Sequence, residues 1–323
     1  MSKPRIFIDG HAGTTGLRIR EWLASRDDLD LWTLAESERK SESARKKAIA
    51  LSDLTVLCLP DEAAVAAAGW AEEAGARLID ASSSHRVSEG WVYGLPELNP
   101  SQRESIREAR CVTNPGCYGS AFVALVRPLI DSKLLKTDAA LSIHGLSGYS
   151  GGGKTLIERW ESPDGKRLSL PFEAPYALER IHKHIPEMHQ YSGLRNAPQF
   201  VPAVGPFKCG MRVEVPLHQS FLKSGSDPEK SGEQIQQALA DRYHDEPFLG
   251  VAAYQGFKPV DDFQLDPTSL NDTNRMELHV LPNQGGHVVL VALLDNLGKG
   301  ASGVAIQSLN LMLGLGEATG LPA

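Results

Sequence analysis

Basic charge, paired cysteines and long apolar runs are all scarce in this chain, and each scarcity closes off a class of function. Its 323 residues carry 33 Lys and Arg against 40 Asp and Glu, a net charge of −7. Nucleic acids and anionic membranes reward a basic face, so neither is expected as the main partner. No stretch approaches the roughly 18 apolar residues of a membrane span. The opening "MSKPRIFIDG" enters a strand-like run at once, without the apolar core and cleavage site of a secretory leader. A cytoplasmic protein is the expectation.

The 4 cysteines are Cys58, Cys111, Cys117 and Cys209. They form no CxxC pair, and no His or Cys stands at zinc-finger spacing, so no metal is expected. A reducing compartment disfavours disulfides. Each cysteine is then core filler or chemistry, taken singly.

What is present is an ample core, with 41% hydrophobic and 23% charged residues. Residues 5–10 read as a buried strand, 17–26 as a helix, 29–37 as a second strand and 44–50 as a short helix. "LTVLCLP" (54–60) is nearly all apolar, as a parallel strand covered on both faces should be. An alanine-rich helix (61–75), a strand (76–84) and a strand with turn (111–116) follow. This alternation indicates a doubly wound parallel sheet. After residue 117 longer alternating segments (139–151, 209–221, 275–286, 287–298) suit an antiparallel or mixed sheet. A polar loop (223–232) and a helix (231–244) interrupt them, and an amphipathic helix closes the chain.

"DGHAGTTG" places Gly10, Gly13 and Gly16 three apart between strand and helix. Glycines there let a pyrophosphate approach the backbone at a helix N-terminus, although an ordinary tight turn uses the same residues. After the second strand comes Glu36, then Ser37, Arg39 and Lys40. A hydroxyl and two cations suit the 2′-phosphate of NADP better than the bare ribose of NAD; a solvated charge run is the alternative.

Cys117 follows Asn114-Pro115-Gly116 and opens the apolar run "CYGSAFVALVRPLI". A helix N-terminus lowers a thiol's pKa, and this context favours a nucleophile over a buried small hydrophobe. A thiolate nucleophile wants an acid/base partner, and "HKHIPEM" offers His182 and His184. Their i, i+2 spacing predicts opposite sides of an extended segment, one ring facing the cysteine; a zinc half-site or a surface turn are the alternatives. His144 is a weaker candidate. "GLSGYSGGGK" (145–154) could hold a phosphate or carboxylate through Ser147, Gly148 and Lys154. The string "GYSGGGKT" fits the P-loop expression but follows no first-domain strand, so an NTPase is not expected.

"DGHAGTTG", "DASSSHR", "YGLPELNP", "NPGCY", "SGYSGGGK", "HKHIPEM" and "DNLGKGASG" occur in this order. Over nearly its whole length the chain thereby resembles the N-acetyl-γ-glutamyl-phosphate reductases of the shorter bacterial type. It departs after "NPGCY", where members often have proline and this chain has Gly119. The resemblance implies an α/β protein: a Rossmann-like NAD(P)-binding domain (1–116 plus 300–323) and an α+β domain (117–299) of the glyceraldehyde-3-phosphate dehydrogenase C-terminal type, serving catalysis and oligomerisation. It further implies NADP contacts from Thr14, Thr15, Ser82, Asn296 and Gly300, substrate contacts from Asn114, and a homodimer or homotetramer. The implied reaction reduces an acyl phosphate to an aldehyde through a thioester on Cys117, with His184 ahead of His182 as acid/base, in arginine biosynthesis. Aspartate-semialdehyde dehydrogenase, sharing the "GxxGxxG" and "DNLxKGASG" strings, is the near rival. A non-catalytic NADP-binding regulator is the rival of another class.

Overall fold

The computed structural model describes residues 3–164, 170–223, 228–261 and 263–323. Residues 224–227, within the polar loop expected at 223–232, lie outside these. The chain divides into two compact units, Met1–Gly116 with Ala301–Pro322, and Cys117–Gly300.

In the first unit β1 (Arg5–Asp9), α1 (Thr14–Leu23), β2 (Asp30–Trp32), α2 (Glu42–Leu51), β3 (Leu54–Leu57), α3 (Asp61–Ala74), β4 (Leu78–Asp80), β5 (Val92–Tyr93), α4 (Gln102–Glu108) and β6 (Cys111–Thr113) follow in turn. The strands form one sheet in the order β2-β1-β3-β4-β6-β5. Every pairing in it is parallel. Ile6, Ile8, Leu54, Val56, Ile79 and Val112 are buried at its centre. A parallel sheet buries both faces, which is why these segments read as continuous apolar runs. The second strand is shorter than the expected 29–37. Past Trp32 the chain leaves the sheet, and the amides of Glu38 and Arg39 bond back to the Ala35 carbonyl in a turn.

The second unit contains α5 (Cys117–Asp131), β7 (Ser142–Gly148), α6 (Gly153–Trp160), β8 (Ala174–Pro175), α7 (Ile185–Ser192), β9 (Gln199–Gly205), β10 (Met211–Leu217), α8 (Pro228–Tyr243), β11 (Leu249–Val251), β12 (Met276–Pro282) and β13 (Val288–Leu294). Its sheet runs β11-β12-β13-β10-β7-β9-β8. The β12-β13-β10-β7 centre is antiparallel, and β7 pairs with β9 in parallel. Alternate residues Val213 and Val215, and Leu290 and Ala292, join Phe122, Leu125 and Leu129 of α5 in one core. Helix α5 is buried almost all round, as its apolar composition requires. The last helix, α9 (Gly303–Met312), belongs to the first unit, where Ala305, Ile306 and Leu309 pack into the core of the parallel sheet.

Candidate active site

Cys117 is the first residue of α5 and is half-buried. Helix α5 is 15 residues long, so the positive end of its dipole lies at Cys117. Gly300 lies against this cysteine: a Cβ on Gly300 would stand 2.7 Å from the Cys117 Cβ. The close approach is made by the wide helical turn Gly298–Ser302, in which the Gly300 amide donates to the Asp295 carbonyl at 3.0 Å. Asp295 is fully buried and pins the same turn by accepting from the amides of Asp272 and Leu297, both at 2.9 Å.

The two histidines differ from the expectation for an extended segment. His184 has helical backbone angles (φ −88°, ψ −14°) and is the N-cap of α7, so the chain turns between them. Both rings are buried and face one residue, Tyr118, with ring centres 6.3 Å (His182) and 5.7 Å (His184) away. They stand edge to face, 4.8 Å apart. The His184 amide donates to His182 Nδ1 at 3.2 Å, so the proton of the neutral His182 ring sits on Nε2. That Nε2 lies 3.4 Å from the Tyr176 hydroxyl. Burial first, and then the charge of a Cys117 thiolate, push the Tyr176 hydroxyl up to about 12. Tyr176 therefore remains a proton-bearing donor at neutral pH. Burial likewise raises Tyr118 well above the usual phenol range.

Glu187, three residues beyond His184 on α7, is fully buried. Its carboxylate occupies the space a Cβ on Gly119 would need, coming within 2.4 Å of that position. Gly119 thus belongs to a packed first turn of α5. Tyr176 and Glu187 were both missed by sequence reasoning. The only signal available was the acidic residue of "HKHIPEM"; the stretch around Tyr176 has no periodicity to mark it.

The glycine-rich loop takes a different form from the one expected. The Ser147 hydroxyl donates to the carbonyl of Gly148 at 2.8 Å, and a Cβ on Gly148 would meet the Lys208 carbonyl at 2.4 Å. Lys154 does not turn inward: its side chain is 79% exposed and stands 3.8 Å from Glu158 on the next turn of α6. Asn296 acts as a latch, accepting from the Gly210 amide at 2.8 Å and donating to Ser150 Oγ at 3.0 Å. Both ends of the amide that was expected to serve the cofactor are thus engaged within the second unit.

In the first unit the glycine turn is built for close approach. Gly10 has φ +86°, and a Cβ there would strike the Cys58 carbonyl at 2.2 Å. A Cβ on Gly16 would meet the Gly10 carbonyl at 2.7 Å. Gly13 is different: its nearest neighbour would be 3.5 Å away, so the protein itself leaves room at the N-cap of α1. Thr14, Thr15 and Gly16 form the first turn of that helix, and this first turn contains no acidic residue. A cleft of about 520 Å³ opens beside the turn, lined in part by Gly10, Ala12, Leu34, Arg39, Lys40 and Arg45. Ser37 is exposed and lies outside the lining, while the carboxylate of Glu36 pairs with Arg39 at 2.6 Å. The Ser82 hydroxyl is committed to Asp80 at 2.7 Å, and His85 Nδ1 meets the same carboxylate oxygen at 2.6 Å. Asn114 is buried and donates to the Ala301 carbonyl at 3.0 Å. Among the described residues no group of three or more His, Cys, Asp or Glu could hold a metal ion. No helix among them is long and apolar enough to cross a membrane.

A parallel nucleotide-type sheet joined in sequence to a cysteine-headed helix on a mixed sheet defines the class as semialdehyde-dehydrogenase-like oxidoreductases. Residues 5–106 match the family described as "Semialdehyde dehydrogenase, NAD binding domain", and residues 117–296 match "Semialdehyde dehydrogenase, dimerisation domain". The N-acetyl-gamma-glutamyl-phosphate reductase of Trichormus variabilis is 47% identical over 327 residues, covering 99% of this chain and 100% of the relative. That of Burkholderia lata is 45% identical, covering 98% of each. The chain belongs to the N-acetyl-gamma-glutamyl-phosphate reductase family. Its fold is also that of aspartate semialdehyde dehydrogenase II of Vibrio cholerae, with TM-score 0.71 at 16% identity, over 97% of this chain and 99% of that one. The aspartate semialdehyde dehydrogenase of Francisella tularensis gives TM-score 0.72 at 13% identity, covering 96% and 100%.

Proposed function

We propose that the protein reduces N-acetyl-γ-glutamyl phosphate to N-acetylglutamate 5-semialdehyde and phosphate with NADPH, as a step of arginine biosynthesis. The observation that carries this reading is Cys117 at the head of α5, with His182 beside the ring of the next residue, Tyr118. The thiolate, favoured by the helix N-terminus, attacks the acyl carbon; phosphate leaves and a thioester remains on sulfur. NADPH, when bound, supplies the hydride that reduces the thioester carbonyl. The His182 Nε2–H donates a hydrogen bond to the carbonyl oxygen and stabilises the negative charge that builds there in the tetrahedral adduct. The adduct collapses as the C–S bond breaks, releasing aldehyde and restoring the thiolate. The Tyr176 hydroxyl oxygen, 3.4 Å away, accepts from that Nε2–H and keeps the ring nitrogen in place. With Nε2–H available to the carbonyl oxygen, His182 stands ahead of His184 as the proton-bearing partner, the reverse of the order expected from the sequence. Ser147 and Gly148, at the end of β7, remain candidate substrate contacts.

For the cofactor, the room left at Gly13 and the free N–H groups of Thr14, Thr15 and Gly16 suit a pyrophosphate. Arg39 and Lys40, on the cleft wall, suit the 2′-phosphate of NADP. The chain assembles as a homodimer or homotetramer through its second unit and works in the cytoplasm.

The test is the reverse reaction with phosphate and NADP⁺, run on N-acetylglutamate semialdehyde and on aspartate semialdehyde. Turnover of the acetylated substrate is expected. Turnover of aspartate semialdehyde alone would overturn the reading in favour of the near rival. Cys117→Ser should abolish turnover while NADPH binding, followed by fluorescence, survives; loss of both would point to a structural cysteine.

A further inference from the structure

Three cations line the cleft beside the glycine turn, and they differ in how firmly they are held. The Arg39 side chain is 39% exposed, and its partner Glu36 is 74% exposed. Such pairs are weak and mobile in water. Lys40 is likewise exposed. Arg45, on α2, is only 11% exposed. Its Nε and Nη2 approach the same oxygen of Asp9, at 2.9 and 2.8 Å. Its guanidinium carbon lies 4.8 Å from the ring centre of Trp70 on α3. Asp9 is the last residue of β1, directly before Gly10, and is buried.

Arg45 is therefore held by a carboxylate and an indole face in a fixed orientation on the cleft wall. Nε hydrogen-bonds Asp9, whereas Nη2 is buried beside the same oxygen without a hydrogen-bond partner, and Nη1 makes no hydrogen bond among the described residues. A planar guanidinium with a spare N–H edge is suited to phosphate, and its rotamer is already fixed before the ligand arrives. The pairing also explains how a buried carboxylate can sit next to an anion site. Unpaired, Asp9 would repel a phosphate; paired with Arg45 it is neutralised, and Lys40 is left as surplus positive charge beside the exposed Arg39–Glu36 pair. His11 in the same cleft feels that field: burial first, then Arg20 and Arg39, lower its pKa.

We propose that Arg45 is the specificity-determining anchor for the 2′-phosphate of the dinucleotide, and that Asp9 is the positioning residue that holds its guanidinium. The inference rests on the NADP reading above but not on the acyl-phosphate chemistry.

Calorimetric titration with 2′,5′-ADP and with 5′-AMP isolates the 2′-phosphate without any turnover. The wild type should bind 2′,5′-ADP at least about tenfold more tightly than 5′-AMP, the scale of one charge-assisted hydrogen bond. Arg45→Gln should weaken 2′,5′-ADP by about ten- to a hundredfold and leave 5′-AMP within about twofold. Arg45→Lys should fall between, since it keeps the charge but loses the planar fork. Asp9→Asn should also narrow the preference, by releasing the guanidinium. An unchanged preference in Arg45→Gln, or equal weakening of both ligands, overturns the anchor; should that variant not fold, an unchanged preference in Arg45→Lys does so. An unchanged preference in Asp9→Asn overturns the positioning role. A wild type with no preference removes the NADP reading and this inference together, while the Cys117→Ser test of the acyl-transfer chemistry is unaffected.

Discussion

Replacing Gly300 by alanine tests whether packing sets the position of the thiol. The added Cβ would stand 2.7 Å from the Cys117 Cβ and 3.1 Å from the Asp295 carbonyl oxygen. Two carbons rest at about 3.5–4.0 Å, so these must separate by roughly 1 Å. Neither side yields easily. The Cys117 Cβ is one bond from the backbone of a helix whose next nine residues, 118–126, are all buried, and Gly300 is tied to Asp295 by its amide. Overpacking of this kind costs about 1–3 kcal/mol. A shift on the order of 1 Å at a reacting group costs about a hundredfold in rate. The variant should therefore melt a few degrees below the wild type, by roughly 2–4 °C per kcal/mol. Its kcat in the reverse assay should fall about a hundredfold, with little change in KM for the aldehyde. Iodoacetamide labelling of Cys117 at neutral pH should persist at a changed rate, showing that the thiol is displaced and not lost. A folded Gly300→Ala enzyme with kcat within about twofold of the wild type would refute the argument that this contact places the nucleophile.

Three further outcomes follow from the same physics. Tyr176→Phe removes the hydroxyl beside His182 Nε2 and should lower kcat by about tenfold while altering the pH profile of kcat; an unchanged profile would deny Tyr176 any part in holding that proton. Gly10→Ala combines a strained φ with a collision against the Cys58 carbonyl, so it should cost about 2 kcal/mol or more and abolish nucleotide binding, and intact binding would show that the turn can rearrange. His279 is buried, and burial outweighs the neighbouring Glu277 to lower its pKa below 6.5. Between the lowered pKa and 6.5 the unfolded chain binds more protons than the folded one, so stability rises with pH through that window and is lost on acidification. The urea midpoint should thus fall between about pH 7 and pH 5.5 in the wild type and fall less in His279→Gln; equal slopes would refute the assignment.

How much of this was legible in the sequence depended on whether a residue's role is carried by its own neighbours in the chain. "LTVLCLP" declares a buried parallel strand because burial on both faces demands an apolar run, and β3 lies within it. Cys117 could be singled out because its turn and its helix are contiguous with it. The strand β9 was not seen: Pro202 lies inside it, where proline normally argues against a strand, and its register with β7 is set by a distant segment. The two-residue β5 and the seven-residue α4 are too short for periodicity to show. The histidines were recognised but misplaced, since nothing local reveals that His184 adopts helical angles and brings both rings onto Tyr118. Arg45 is the sharpest case. Within "ARKKAIA" it is one of three adjacent cations, and only the fold selects it, by bringing the end of β1 and the indole of α3 to its two sides. Charge that is merely present in a sequence becomes a recognition element when the tertiary structure removes its freedom. That is why the exposed Arg39 and Lys40 could be read as candidate cofactor contacts, while the residue best held to discriminate between cofactors could not.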